Sequence, residues 1–303
     1  MPDRHATLDS RAVATLVACC FLWGLNQVAV KVALPEIPAL LQAGGRSLVG
    51  ALLVWAWARW RGVALFAHDG TLPAGLLVGT LFAVEFGAIF LGLQFTTASR
   101  MVVFLYLAPF VVALGMPFVS RSERLAPAQA AGLLLAFAGV AWAFAESLAS
   151  PSAGPRQWWG DALGVAAAGL WGATTLGIRA TRLSTAGVEK TLLYQLGMAG
   201  VVLILAGAIA GERWPGSLSP LVAWSFAFQC VIVSFASYLA WFWLVRHYPA
   251  TRLASFTLLT PVFGLLLGAW LLGETITLRL WVALAAVSAG IVLVNRRGPN
   301  PPA

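Results

Sequence analysis

Residues 21–31 read FLWGLNQVAVK and residues 169–179 read GLWGATTLGIR. The two stretches share Leu-Trp-Gly at an offset of 148, and each carries a basic residue eight positions after its Trp: Lys31 and Arg179. Further along, Ala98-Ser99-Arg100 with Pro109 aligns with Ala250-Thr251-Arg252 with Pro261 at an offset of 152. A one-residue slip then pairs Glu123 with Glu274 and Gly139 with Gly290. Matches that keep one order and nearly one offset identify an internal repeat.

Composition says what surrounds the two copies. Of 303 residues, 60% are apolar and only 10% are Asp, Glu, Lys or Arg, against about 25% charged in soluble domains. Too little polar surface exists to coat a globule, and the class expected is an all-α integral membrane protein. Apolar stretches long enough to cross about 30 Å of hydrocarbon fall at Ala12–Val32, Ala39–Trp60, Leu72–Leu93, Ser99–Val119, Ala126–Ala145, Gly160–Ala180, Thr191–Ala210, Leu221–Leu244, Leu253–Leu272 and Thr277–Val294. These are about ten transmembrane helices, five in each copy. The turn-rich segment Ser150-Pro151-Ser152-Ala153-Gly154-Pro155 lies between them. The expected organisation is an N-terminal tail (1–11), a first repeat (12–146), a linker (147–159), a second repeat (160–295) and a disordered cytoplasmic tail (296–303).

The formal net charge of +8 is spread in ones and twos between apolar runs, unlike the massed basic face that binds nucleic acid. It serves orientation instead. With a cytoplasmic N-terminus, Arg4, Arg11, Arg59, Arg61, Arg121, Arg124, Arg179, Arg182, Lys190, Arg246, Arg252, Arg296 and Arg297 fall inside. Lys31, Arg100, Arg156, Arg213 and Arg279 fall outside. The positive-inside bias therefore places both termini in the cytoplasm. Leu16-Val17-Ala18-Cys19 fits a lipoprotein cleavage pattern, but too few apolar residues precede Cys19, and the run continues past it. Cys19, Cys20 and Cys230 lie within apolar runs and read as packing residues.

An odd number of crossings per copy turns the second copy upside down relative to the first. Inverted repeats of this kind recur in secondary transporters, where two equivalent halves exchange conformations to open to either side. The chain resembles EamA-type members of the drug/metabolite transporter superfamily. The resemblance rests on the five-plus-five arrangement, on Leu-Trp-Gly in the first helix of each repeat, and on Arg46 early in the second helix. It rests also on the basic residue and mid-helix Pro of the fourth and ninth helices, and on Glu123 and Glu274 after them. It implies an inner-membrane exporter or facilitator of amino acids, aromatic ones included, or of similar small metabolites. One departure is that Gln195 stands where Arg46 stands in the first repeat.

Ionisable groups at mid-membrane depth are costly and tend to face a cavity or a partner. Arg46 and Glu85 are the two that lie well inside the spans, at nearly the same depth. They suit either a buried ion pair that fixes helix packing or a site for substrate or a coupling proton. Trp23, Asn26 and Gln27 share one face of the first helix, and their repeat mates Trp171, Thr174 and Thr175 repeat the spacing. By the 152 offset Glu85 matches Ser237 and Phe86 matches Tyr238. Tyr106, Tyr194 and Gln195 complete the candidate substrate-binding set, and Pro109 and Pro261 are the candidate hinges because a mid-helix proline removes a backbone bond. Trp60, Trp158, Trp159, Trp214 and Trp281 suit an interfacial belt, whereas Trp23, Trp171, Trp241 and Trp243 lie deeper. Gly75…Gly79 and Gly264…Gly268 have the small-xxx-small spacing of close helix contacts.

The histidines (His5, His68, His247) sit in tails or loops without metal spacing, neither lysine follows a glycine as a P-loop requires, and no catalytic constellation falls within a span. The expectation is a transporter that is not an enzyme, with no cofactor and no metal. Its partners would be a small-molecule substrate, the lipid bilayer and protons; as a monomer or weak homo-oligomer it would lie in the bacterial inner membrane. The alternatives are a multidrug efflux transporter, with a less polar and aromatic-lined cavity, and a non-transporting membrane sensor or assembly subunit.

Overall fold

A computed structural model describes residues 9–119, 127–149, 151–248 and 259–295, together with Thr257. The helices are α1 (Ser10–Ala33), α2 (Ala39–Trp60), α3 (Leu72–Gly92), α4 (Ala98–Leu105), α5 (Ala108–Val119), α6 (Pro127–Ala149), α7 (Gln157–Ala180), α8 (Val188–Ile209), α9 (Pro220–Ala227), α10 (Tyr238–His247), α11 (Leu259–Leu272) and α12 (Leu278–Asn295). Among the described residues there is no strand. Among the described residues seven helical stretches are long and apolar enough to cross a membrane, with α4 running on into α5 and α9 into α10; three shorter apolar helices lie at Ala130–Ala143, Leu259–Leu272 and Leu278–Leu293. Residues 120–126 and 249–256, with Glu123, Ala250 and Arg252, lie outside the described residues.

Helix starts are fixed by short polar side chains that accept otherwise orphaned backbone N–H groups. Asp9 accepts from Ala12 at 2.7 Å, Thr97 from Arg100 at 3.1 Å and Ser219 from Val222 at 3.4 Å. Two spans are irregular. The fourth breaks at Tyr106 and Leu107, directly before α5 resumes with Pro109 in its first turn, where a proline cannot donate to the preceding turn. The eighth is π-helical from Phe228 to Ser237, between α9 and α10. That wider winding is rare and frequent at functional sites.

The packing repeats itself with the two halves exchanged. α2 lies on α8 and α6 on α12, each joining equivalent helices, and α4 of the fourth span lies on α11 of the ninth. α1 packs on α11 as α7 packs on α4 and α5, and α3 packs on α7 as α9, the π-helical segment and α10 pack on α1. Glycines bring the helices together: a Cβ on Gly75 would stand 2.5 Å from the Tyr194 ring, and one on Gly79 would stand 2.6 Å from the Tyr194 backbone carbonyl. A Cβ on Gly264 would stand 2.7 Å from Val102 on α4. A backbone carbonyl cannot swing aside as a side chain can, so Gly79→Ala is expected to destabilise the protein by about 1–3 kcal/mol through overpacking. Thermal unfolding in detergent measures the loss.

Large apolar side chains cover the outside. Leu52, Leu134, Ile209, Trp224 and Trp270 are exposed, as are Trp60, Trp159, Trp214 and Trp281. In water so much exposed apolar area marks an interaction surface; on helices of this length its natural neighbour is lipid. Polar residues turn inward instead: Asn26, Gln27, Gln42, Arg46, Glu85 and Gln229 are all buried.

Candidate functional site

The interior polar residues gather where α1, α2, α3 and the π-helical segment meet. Arg46 is fully buried. Its Nε donates to Ser234 Oγ at 3.0 Å and its Nη2 to the Tyr238 hydroxyl at 3.3 Å. Its guanidinium carbon lies 4.8 Å from the Phe86 ring centre and 5.6 Å from that of Phe90. Phe86 and Tyr238 are equivalent by the 152-residue offset, so repeat mates from the two halves flank one guanidinium. Cation–π contact of this kind, away from water, helps to hold a charge that would otherwise be costly to bury.

Glu85 is buried on α3 beside Phe86. It makes no ion pair within 4 Å: among the described residues such pairs join Arg100 to Glu146 and to Asp161, and Lys190 to Asp69. Arg46, Glu85 and Tyr238 nevertheless lie within electrostatic reach of one another. The repeat mate of Glu85, Ser237, accepts a hydrogen bond from Trp23 Nε1 at 3.0 Å and donates to the Val233 carbonyl at 2.7 Å. Trp241 meets Trp23 edge-on at 5.4 Å. One level away, Gln42 donates to the Val30 carbonyl and to Gln229 Oε1, and Gln229 donates to the Ala29 carbonyl.

The structure thus ties Trp23 to Ser237 and Arg46 to Tyr238, neighbours on one segment, and adds Ser234 and Phe90, which the sequence did not single out, and Phe86, named there only as the mate of Tyr238. Other candidates lie elsewhere. Tyr106 packs edge-on against Trp171 at 6.1 Å; Thr174 is buried nearby on α7, and Thr175 donates to the Trp171 carbonyl at 3.0 Å. Gln195 is buried on α8. Tyr194 packs under Gly75 and shares a 3.3 Å hydrogen bond with Thr71, next to the Lys190–Asp69 pair. Lys190 and Thr71 hold the Asp69 carboxyl below the usual carboxylate range. On the same side of the protein a cavity of about 610 Å³ opens between Gly70, Pro73, Ala74 and the segment Ala180–Thr185.

A second buried polar group stands at the opposite end. Arg100 donates from Nε to both Asp161 oxygens, from Nη1 to Glu146 at 3.0 Å, and from Nη2 to Asp161 at 2.6 Å and to the Ala143 carbonyl. Thr96 and Thr277 donate to Asp161 and Glu146, and Lys31 donates to the Thr96 carbonyl at 2.6 Å. Glu274 accepts the N–H groups of Ala98 and Ser99 at 2.7 and 2.9 Å, and Glu212 those of Leu40 and Leu41 at 3.2 and 2.9 Å. Arg46 and Glu85 are therefore not the only charges buried in the bundle.

The sequence profile of the EamA-like transporter family matches residues 10–145 and again residues 158–296. The chain belongs to the EamA-like transporter family. This EamA-like protein is 28% identical to the "uncharacterized transporter YvbV" of Bacillus subtilis, over 95% of this chain and 92% of that one. It is 27% identical to the "uncharacterized inner membrane transporter YedA" of Escherichia coli K12 (92% and 89% covered) and 28% identical to a "probable amino-acid metabolite efflux pump" of Salmonella typhimurium (90% and 90%). A crystal structure of a protein 21% identical shares its fold, with a TM-score of 0.65 over 94% of this chain and 97% of that one. As an EamA-like transporter it is embedded in a membrane and handles small-molecule substrates.

Proposed function

We propose that this EamA-like protein exports amino acids or similar small metabolites across the bacterial inner membrane, by alternating access between two inverted five-helix halves with both termini in the cytoplasm. The observation that carries the reading is the placement of Arg46. A full positive charge is held at depth by neutral partners, between side chains contributed by both repeats, and among the described residues no carboxylate neutralises it within ion-pair distance. A guanidinium in that setting favours a carboxylate ligand through charge-assisted bonding, and a site on the symmetry element of the two halves can be presented to either side in turn. The names of the relatives from E. coli and S. typhimurium agree with the class of transport and with the inner membrane. Glu85 either positions the site or takes up a proton.

Purified protein in liposomes preloaded with an unlabelled amino acid is expected to accumulate the labelled one by exchange. Absence of flux for every amino acid tested overturns the amino-acid reading. Glu85→Gln removes the titration and keeps the shape. If Glu85 carries the coupling proton, the variant is expected to exchange at a near-normal rate and to lose accumulation driven by a pH gradient. An unchanged gradient dependence assigns Glu85 to positioning instead.

A further inference from the structure

Buried polar atoms almost always find a hydrogen-bond partner, and those that do not call for an explanation. Among the described residues eight buried side-chain atoms have none within the chain, and five of them belong to α1, α2 and α3: Asn26 Oδ1, Gln27 Oε1, Gln42 Oε1, Arg46 Nη1 and Glu85 Oε2. One is a cationic donor and the other four are oxygens. All five residues are more than nine-tenths buried.

Three contacts fix the level of Asn26 and Gln27 relative to Arg46. α1 meets the π-helical segment through Trp23, bonded to Ser237, and through the Ala29 carbonyl, bonded to Gln229; Gln42 of α2 reaches the neighbouring Val30 carbonyl. Residues 26 and 27 lie between those levels and on the face of Trp23, at the i+3 and i+4 positions. Read between those two contacts, residues 26 and 27 fall opposite residues 232 and 233, next to Ser234, which holds the Arg46 Nε. From α3, Glu85, next in sequence to the Phe86 whose ring touches the guanidinium, lies within electrostatic reach of Arg46 and Tyr238. The unfilled donor on Arg46 and the unfilled oxygens of Asn26, Gln27 and Glu85 thus belong to three helices and to neighbouring levels of the bundle interior.

We infer that the site takes zwitterionic α-amino acids, the carboxylate on Arg46 Nη1 and the ammonium on the oxygens of Asn26, Gln27 and Glu85. This deepens the amino-acid reading and rests on it. An ammonium has three donors and no acceptor, which suits a set of oxygens, and the two charges of an α-amino acid stand on one carbon. A site that forms these bonds rejects an analogue lacking either group, because its own polar atoms are then left buried and unpaired. Asn26 and Gln27 become the residues that demand the amine.

The test is competition against labelled amino-acid exchange in liposomes. L-Alanine, L-leucine and L-phenylalanine are each compared with the matching carboxylic acid lacking the amine (propanoate, 4-methylpentanoate, 3-phenylpropanoate) and the matching amine lacking the carboxylate. The amino acid is expected to compete at least about tenfold better than either single-charge analogue, as the loss of a charged hydrogen bond implies. Gln27→Met, which keeps length and removes the acceptor, is expected to weaken the amino acid and leave the amine-free acid unchanged, so that the ratio between them collapses. Asn26→Leu provides the same readout should Gln27→Met fail to fold. Equal competition by acid and amino acid, or an unmoved ratio in a folded variant, overturns the zwitterion and leaves amino-acid export standing. No exchange of any amino acid by the unaltered protein removes both.

Discussion

Arg46→Gln is expected to lower the initial rate of amino-acid exchange at limiting substrate by about 30-fold or more while the protein stays folded. Truncating one partner of a buried, hydrogen-bonded charge pair costs about 2–5 kcal/mol, and about 1.4 kcal/mol corresponds to each factor of ten. Glutamine suits the position for two reasons. The second half already places Gln195 at the equivalent site, buried on α8, and the partners of Arg46 in the chain are hydroxyls and rings, so no ion pair is broken. Arg46→Lys separates charge from shape. It keeps the cation but loses the planar fork that reaches Ser234 and Tyr238 while presenting a further N–H, and its rate is expected to fall between those of the native protein and Arg46→Gln. Initial rates in liposomes, with monodispersity in detergent as the folding control, decide the matter. A monodisperse Arg46→Gln protein with native rates assigns Arg46 to helix packing.

Arg46 was legible in the sequence because a charge within a 22-residue apolar run stands out whatever the fold. Trp23, Ser237 and Tyr238 followed from the helical spacing and the repeat offset, which need no knowledge of tertiary contacts. Ser234 did not follow. It reaches Arg46 from a π-helical segment, and a local change in residues per turn alters which side chains share a face without altering composition. Tyr194 shows the converse limit. The eighth helix is apolar on several sides, so periodicity could not say that this tyrosine lies against Gly75 rather than beside Arg46. The Arg100 group was hidden for a different reason. Arg100, Glu146 and Asp161 each fall near the end of their own span and read singly as loop charges; only the packing of α4, α6 and α7 joins them into one buried cluster.

That cluster carries the other large expected effect. Asp161→Ala is expected to cost about 3–5 kcal/mol of stability, the usual consequence of stranding a buried charge, because Arg100 is 2% exposed and directs three of its donor contacts at Asp161. Glu146 and the Ala143 carbonyl remain, but neither reaches the Nε side of the guanidinium. The triple replacement Arg100→Met, Glu146→Gln, Asp161→Leu is expected to recover most of the loss, since exchanging a whole buried ion cluster for packed apolar groups is often neutral or stabilising. Thermal unfolding of the single and triple variants tests this, and a triple variant no more stable than Asp161→Ala defeats it. The comparison also separates stability from transport. The cluster ties α4 and α6 of the first repeat to α7 of the second, at the end opposite the cavity beside Gly70. If alternating access requires that end to part, the stable triple variant is expected to expose Thr96→Cys to a membrane-impermeant thiol reagent faster than the same cysteine in the native background. Specificity of closure, rather than net stability, is then what keeps these salt-bridged side chains buried there.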